Sequence, residues 1–218
     1  MSRYFTDFPV VRYNSVPVRD ITRRTNFIKE NLSNPFVFLP YTVKENERPE
    51  DIAFLYYGSV DYTWVVLLAN EIYDPQNQWY LNEELFNELL IKKYKDLSGK
   101  TGYEVIDWTR NQTILENILY YEKDGIAYAP STFPTIYEAN LLGEFVLDEN
   151  GYKIPVSRTV PSDYIPVRIY DYEFQFNENK REITLVDKSY ISQIEKEFRK
   201  KIKSWLKNTL VITLSKNS

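Results

Sequence analysis

Apolar and polar positions follow one another most regularly between residues 36 and 97. An apolar, β-prone run at residues 36–43 is followed by the polar residues 44–47, which predicts a strand and its end. Two short stretches with apolar residues at helical spacing come next. The pattern therefore predicts a small module with a strand, two short helices and a return segment, all before residue 86.

Four signals mark the boundaries of these two helices. Pro49 suits a first helical position, because the N–H that proline lacks has no helical partner there. Gly58 favours the left-handed conformation that ends a helix. Asp61 is the predicted N-cap of the second helix. Asp74-Pro75 predicts the end of that helix, since the residue before a proline avoids the helical region.

Two longer helices are predicted on either side of the middle of the chain. The first spans about residues 82–97 and begins with Asn82 and the acidic pair Glu83/Glu84. The second spans about residues 189–207 and has an amphipathic pattern. Its apolar stripe consists of Ile191, Ile194, Phe198, Ile202 and Trp205.

The segment between these helices is predicted to be rich in β-hairpins. Asp124-Gly125 and Asn150-Gly151 are hairpin-turn signals, each flanked by aliphatic and aromatic residues. Residues 167–176 alternate between aromatic and polar side chains, which is typical of a strand. We expect this strand to form a third hairpin with residues 183–186. Its aromatic face consists of Tyr170, Tyr172, Phe174 and Phe176.

These elements predict an α+β fold class and four segments. Residues 1–35 form an N-terminal arm, with a candidate short helix at residues 20–32 and extended parts that need a neighbour to become ordered. Residues 36–97 hold the module and the helix that follows it. Residues 98–187 hold the β-hairpin region, and residues 188–218 the C-terminal helix and tail.

One stretch of the module resembles a known family. The sequence RPEDIAFLYYGSVDYTWVVLLANEIYDPQNQW, residues 48–79, is similar to the wedge subunit of contractile-tailed phage baseplates that carries a LysM-like domain. The Pro-Glu-Asp-Ile-Ala start, the Tyr-Gly turn, the Leu-Leu core and the Tyr-Asp-Pro exit carry this resemblance. Residues 92–95 and 179–185 continue it, whereas residues 99–170 carry no clear match.

The resemblance has implications for both fold and function. It implies a small LysM-like β-α-α-β core with added β-hairpins and a C-terminal amphipathic helix. It also implies a virion protein of the tail baseplate that is assembled in the host cytoplasm. Such a subunit would dock onto other wedge proteins of the same phage, in a multi-copy assembly, and help to join neighbouring wedges into the baseplate ring.

Composition narrows the possible chemistry. The 218-residue chain has no cysteine and no histidine, which excludes disulfides, thiol catalysis, metal sites built on these ligands and the Ser-His-Asp triad. We therefore expect no enzyme activity, no metal and no cofactor. The net charge of −4 argues against a general attraction to nucleic acid. The N-terminal residues do not resemble a signal peptide, and no apolar run is long enough for membrane insertion.

The loops beside the two module helices are the candidate binding surface. In LysM modules, loops at these positions form a groove for N-acetylglucosamine polymers, so the resemblance implies a partner-binding or glycan groove here. We prefer a local explanation, in which Asn70 caps a helix end, Ile72 fills the core and Trp79 folds back. The candidate residues are Asn46, Glu47, Arg48, Asn70, Ile72, Tyr73 and Trp79.

Aromatic and charged clusters are the remaining candidates. Aromatic residues make up 16% of the chain, which fits both anchors at protein–protein contacts and an aromatic-rich core. The acidic pairs Glu50/Asp51 and Glu83/Glu84 lie in predicted first helical turns, where the helix dipole explains them. The basic run at residues 199–203 is best explained as a solvated helix face.

Two other functions stay open. One is a peptidoglycan-binding or N-acetylglucosamine-binding module of a cell-wall-associated protein, which a signal peptide or tandem modules would favour. The other is a lytic glycosidase, which needs a carboxylate pair facing into a cleft. The sequence offers no distinctive pair of that kind.

Overall fold

The computed structural model describes residues 8–20 and 37–202, which form two compact units. Unit 1 comprises the described parts of Met1–Tyr80 and Lys180–Ser218, and unit 2 comprises Leu81–Asn179. Unit 2 is therefore an insertion in the chain of unit 1. The segment boundaries predicted at 97/98 and 187/188 do not coincide with this division.

Unit 1 begins with an antiparallel hairpin of β1 (Val10–Tyr13) and β2 (Val16–Arg19). Asn14 and Ser15 join the strands with φ angles of 47° and 67°, as in a two-residue turn that follows the twist of the strands. Part of the N-terminal arm is thus extended. The candidate helix at residues 20–32 lies, apart from its first residue, outside the described residues.

Among the described residues of the module, one five-residue strand pair joins segments that lie far apart in the sequence. β3 (Phe38–Thr42) pairs antiparallel with β9 (Glu182–Val186), from Phe38 opposite Val186 to Thr42 opposite Glu182. The prediction of a return segment before residue 86 is therefore wrong, and so is the third hairpin with residues 167–176. Strand periodicity specifies which face is buried, but it does not specify the partner strand.

The helices of the module follow the predicted order with different caps. α1 (Pro49–Ile52) continues into a π-helical turn (Ala53–Tyr57) that ends at Gly58 with a φ of 84°. Ser59, rather than Asp61, caps the next segment, because its hydroxyl oxygen accepts from the Asp61 N–H. A 3₁₀ turn (Val60–Tyr62) then leads into α2 (Thr63–Ala69). Asp74-Pro75 does not end α2 but begins α3 (Pro75–Gln78), with Asp74 as N-cap.

Two apolar clusters hold unit 1 together. The first packs α2 against a C-terminal helix at residues 191–202, here called α7, and it confirms the predicted stripe as far as Ile202. Trp205 lies outside the described residues. The second packs the π-helical turn and α2 against β9 and Trp79. Its buried members are Val43, Ile52, Ala53, Val66, Ile72, Trp79, Tyr80, Ile183 and Leu185.

Three helices form the core of unit 2. α4 (Glu83–Ser98) is capped by Asn82 as predicted, and Gly99 ends it in the left-handed conformation. α5 (Tyr103–Arg110) follows after a short turn and packs on α4, so residues 98–102 are a tight connection within one unit. α5 was not predicted from the sequence. The core consists of Phe86, Leu90, Tyr94, Val105, Trp108 and Ile169.

The strands of unit 2 form a three-stranded sheet and a ribbon. The first predicted hairpin is confirmed: β4 (Ile118–Lys123) pairs with β5 (Ile126–Tyr128), and β8 (Ile165–Arg168) lies on the other side of β4. β6 (Thr135–Tyr137) pairs with β7 (Pro155–Arg158). The second predicted hairpin is present as a single bridge, Leu147 opposite Lys153.

The predicted strand at residues 167–176 is wrong for most of its length. The chain turns helical at Ile169 and forms α6 (Ile169–Asn179). Alternating aromatic residues have high β-propensity, but propensity yields to tertiary packing. The buried positions are Ile169, Glu173 and Asn177, four residues apart, so the helical period is carried partly by polar side chains.

The α+β fold class is confirmed by this mixture of helices, antiparallel pairs and connecting turns. Among the described residues, no single helix has both the length and the apolar composition to cross a bilayer. Two shorter helical segments, Pro49–Tyr57 and Val60–Ala69, meet these criteria when they are taken together, by length and composition only. The chain bends by 119° between them.

Candidate functional site

The loop before α1 is tied to the module by its own polar groups. The Glu47 carboxylate accepts hydrogen bonds from the Tyr41 hydroxyl, at 2.7 Å, and from the Lys44 N–H, at 2.9 Å. The Glu47 backbone carbonyl accepts from the Trp79 indole N–H at 2.9 Å. Of the candidate groove residues, the structure therefore brings Glu47 and Trp79 together.

Asn46 and Arg48 flank this contact and are exposed. Asn46 adopts a φ of 60°, a left-handed conformation that asparagine tolerates better than most residues. The Arg48 N–H donates to the Asp51 carboxylate at 3.0 Å, in the manner of a capping box. The acidic pair Glu50/Asp51 thus lies in the first turn of α1, as expected from the helix dipole.

Asn70 connects the end of α2 to β9. Its amide nitrogen donates to the Val66 carbonyl at 2.8 Å and to the Thr184 carbonyl at 2.9 Å. Its amide oxygen accepts from the Thr184 N–H at 2.7 Å. The Asn70 side chain therefore satisfies the Val66 carbonyl near the end of α2 and both the N–H and the carbonyl of Thr184 on β9. This is a structural role.

Ile72 and Trp79 are both buried in the second cluster of unit 1, whereas Tyr73 is 42% exposed. The Tyr73 N–H donates to the Gln78 side chain at 2.8 Å, so the loop is held by α3. Asn46, Arg48 and Tyr73 are consequently the exposed members of the candidate set, whereas Glu47 and Asn70 are partly buried.

A cation–π cluster in unit 1 was missed by the sequence analysis. The Arg181 guanidinium lies 3.7 Å from the centre of the Tyr80 ring and 2.8 Å from the Glu45 carboxylate. The Tyr80 hydroxyl also donates to Glu45 at 2.7 Å. The cluster links the start of β9 to the loop after β3, and it depends on residues that no local motif connects.

Unit 2 contains a buried carboxylate. Glu173 accepts from the Tyr94 hydroxyl at 2.5 Å and from the Lys93 ammonium at 2.6 Å. Lys93 is half exposed, whereas Glu173 and Tyr94 are buried. Burial, and next the hydrogen bond to Glu173, raises the pKa of Tyr94 well above its ordinary value. The group ties α6 to α4 and has the chemistry of a structural ion pair.

A buried guanidinium organises the loop after α5. Arg168 donates to the Gln112 side chain at 3.0 Å, to the Ile114 carbonyl at 2.8 Å and to the Gln112 carbonyl at 2.7 Å. It also donates to the Asn117 amide oxygen at 2.5 Å. Burial lowers the pKa of Arg168, since desolvation disfavours the charged form. Through these hydrogen bonds the Arg168 guanidinium fixes the conformation of residues 112–117.

The most unusual surface is the segment 122–167 in unit 2, in which no residue is buried. We call it the ribbon segment. Edge-on aromatic contacts at its base, such as Phe133 with Tyr164 at 5.1 Å, hold it without a closed core. Several large apolar side chains are more than half exposed. These are Ile126, Leu141, Leu142, Leu147, Tyr152, Val156 and Ile165.

A second apolar surface in unit 2 is the outer side of α6. Tyr172 and Phe174 are 41% and 45% exposed, and the Tyr172 ring stacks on Phe176 at 6.4 Å. Because Glu173 and Asn177 point inward, this helix buries polar groups and exposes aromatic ones. The sequence did not indicate this arrangement, because the alternating aromatic residues predicted a strand.

No metal-binding arrangement occurs among the described residues: no three Asp or Glu side chains in residues 8–20 and 37–202 lie close enough to hold an ion. The Glu83/Glu84 pair lies in the first turn of α4, where the helix dipole explains it. The described part of the basic run, Arg199 to Lys201, lies on α7.

Comparison with known proteins gives two matches. The family model described as base plate wedge protein 53 matches residues 4–140, well over half of this chain. Baseplate wedge protein gp53 of Enterobacteria phage T4 is 33% identical to it over 86 residues. That match covers 39% of this chain and 43% of the T4 protein, so the chain spans less than half the length of this curated relative.

Proposed function

The chain belongs to the base plate wedge protein 53 family, and from this premise we propose that it is a structural subunit of a contractile phage tail baseplate. In this role it docks onto other wedge proteins of the same phage and helps to join neighbouring wedges into the baseplate ring. It is assembled in the host cytoplasm and becomes part of the virion. Its function is binding and positioning rather than catalysis.

The ribbon segment is the observation that carries this proposal. A run of residues from 122 to 167 without a buried side chain gains little stability from its own unit. Burying its exposed apolar side chains on a partner would contribute about 25 cal/mol for each Å² removed from water. A subunit with such a surface is stabilised by assembly, because a partner that binds the folded state shifts the folding equilibrium.

Unit 1 supports the proposal through its small module. The order β3, α1, α2 and β9 is consistent with the β-α-α-β order of a LysM-like core, with the short α3 and unit 2 inserted before the last strand. We propose that the module is LysM-like and serves as a building block of the wedge. Its exposed loop residues Asn46, Arg48 and Tyr73 are proposed partner contacts, whereas Glu47, Asn70, Ile72 and Trp79 support the loops from within.

Co-expression with the other wedge proteins of the same phage tests this function. Size-exclusion chromatography with mass determination should give co-elution in a fixed stoichiometry. A chain that remains separate from every wedge protein would contradict the proposal. Pelleting with insoluble peptidoglycan is the parallel assay, and binding there without binding to wedge proteins would favour the glycan-binding alternative.

A further inference from the structure

The turn at residues 140–144 presents two adjacent leucines to solvent. We call it the tip turn. Leu141 is 107% exposed and Leu142 is 85% exposed, the two highest values among the large hydrophobic residues of the described chain. Single exposed leucines are ordinary, but two exposed neighbours on one turn form a contiguous apolar surface of the kind that marks an interaction site.

The polar groups of the tip turn form hydrogen bonds with one another. The Asn140 amide oxygen accepts from the N–H groups of Leu142 and Glu144, both at 3.0 Å. The Gly143 N–H donates to the Asn140 carbonyl at 2.9 Å, and Gly143 adopts a φ of 81° that favours glycine. The turn is therefore pre-organised, so binding costs little additional ordering of the backbone.

The strands behind the tip turn fix its position within the ribbon segment. The Glu138 N–H donates to the Ile154 carbonyl at 2.9 Å, and the Val146 N–H donates to the Glu138 carbonyl at 3.0 Å. The Lys153 ammonium lies 3.7 Å from the centre of the Phe145 ring. The leucines thus lie at the end of a hydrogen-bonded ribbon rather than on an unsupported loop.

The chain on both sides of the tip turn is acidic, and the Lys153 ammonium over the Phe145 ring is the basic group that packs beside it. Residues 138–149 contain four acidic residues and neither lysine nor arginine, and the first basic residue after them is Lys153. All four acidic residues are exposed, and they are Glu138, Glu144, Asp148 and Glu149. Interfaces bring opposite potentials together, so the complementary surface is apolar at its centre and basic at its rim. An anionic membrane would be repelled.

We propose that Leu141 and Leu142 insert into an apolar pocket bordered by lysine or arginine on another baseplate protein. The inference rests on the proposed function, which it deepens by naming the contact and the chemistry of the partner. The tip turn lies almost wholly beyond residue 140, where the family match ends, so family membership alone does not imply this contact.

The test compares full-length variants for binding to the purified wedge complex of the same phage, prepared without this chain. L141S/L142S should weaken binding by about a hundredfold, because it removes the apolar area of two side chains that the pocket would bury. The matched control L97S removes a leucine that is 62% exposed on α4 and should change the dissociation constant by less than about threefold. Far-UV circular dichroism should be unchanged in both variants.

Charge reversal tests the basic rim separately. E138K/E149K should weaken binding about tenfold at low salt and much less at high salt, because salt screens exposed charges. Unchanged affinity of L141S/L142S would overturn the anchor while leaving the proposed function intact. Loss of self-association alone would assign the tip turn to a second copy of this chain and overturn the proposed partner. Failure of the unmodified chain to bind would instead overturn the proposed function.

Discussion

Removing the carboxylate of Glu173 should loosen α6 from α4. In E173A the buried Tyr94 hydroxyl loses a charge-assisted acceptor at 2.5 Å, which costs about 1.5–3 kcal/mol. The pair with Lys93 adds less than about 1 kcal/mol, because the ammonium is half exposed and returns to water. Loss of the buried methylene adds about 0.8 kcal/mol. The sum is a destabilisation of about 3 kcal/mol.

The isosteric variant E173Q separates the hydrogen bond from the charge. Its amide oxygen still accepts from Tyr94, so we expect a loss of only about 1 kcal/mol. The matched control is E88A, which removes an exposed glutamate from α4 of the same unit. A surface substitution of this kind should stay within about 0.5 kcal/mol of the unmodified chain.

Hydrogen exchange measured by mass spectrometry reports this change locally. A loss of about 3 kcal/mol corresponds to exchange faster by about a hundredfold in peptides from α4 and α6. Peptides from unit 1 serve as the internal reference, because Lys93, Tyr94 and Glu173 all lie in unit 2. An E173A variant that exchanges like E88A, or an E173Q variant that exchanges as fast as E173A, would contradict this role of Glu173.

Three further predictions concern groups that the structure assigns to stability. N70A leaves the Thr184 N–H without its acceptor at 2.7 Å, so urea denaturation should show a loss of about 2 kcal/mol, and an unchanged midpoint would contradict this role. Burial, followed by the hydrogen bond to Glu47, raises the pKa of Tyr41 from 10.0 to about 12, so its contribution to stability is present below pH 10 and is lost as pH rises toward 12. Y41F should therefore flatten the alkaline decline in stability, and an equally steep decline would argue against the shift. R168K cannot reproduce the planar set of bonds to residues 112–117, so limited trypsin digestion should cleave faster after Arg110, whereas an unchanged rate would contradict that role.

Local signals predicted much of the module. Pro49, Gly58 and Asn82 each act through their own backbone conformation or side-chain cap, so their roles were readable from neighbouring residues. Asp124-Gly125 acts in the same way in the β4–β5 hairpin. Each of these features depends on a few residues that are close together in the sequence.

Long-range pairing and inverted burial could not be predicted in this way. β3 pairs with β9 across an insertion of about a hundred residues, and strand periodicity does not name a partner. α6 was assigned to a strand because its inward positions, Glu173 and Asn177, are polar and their partners lie in other elements. Helix prediction from periodicity relies on apolar residues, so polar residues at helical spacing do not indicate a helix.

The sequence distinguished exposed from buried candidate binding residues only in part. The loop at residues 73–80 combines an exposed Tyr73 with a Trp79 that is buried in the second apolar cluster of unit 1. The ribbon segment was predicted to be rich in hairpins, but its lack of buried residues is a property of the folded unit. Exposure of Leu141 and Leu142 depends on that property and not on the residues alone.

Electron cryo-microscopy of baseplates from the phage that encodes this chain is the decisive test of its assembly function. We expect this chain in every wedge, with residues 122–167 covered by other baseplate proteins. The tip turn would occupy an apolar pocket with a basic rim. Absence of the chain from the baseplate would contradict the assembly function, and a ribbon segment left in solvent within an otherwise occupied wedge would contradict its role as the docking surface.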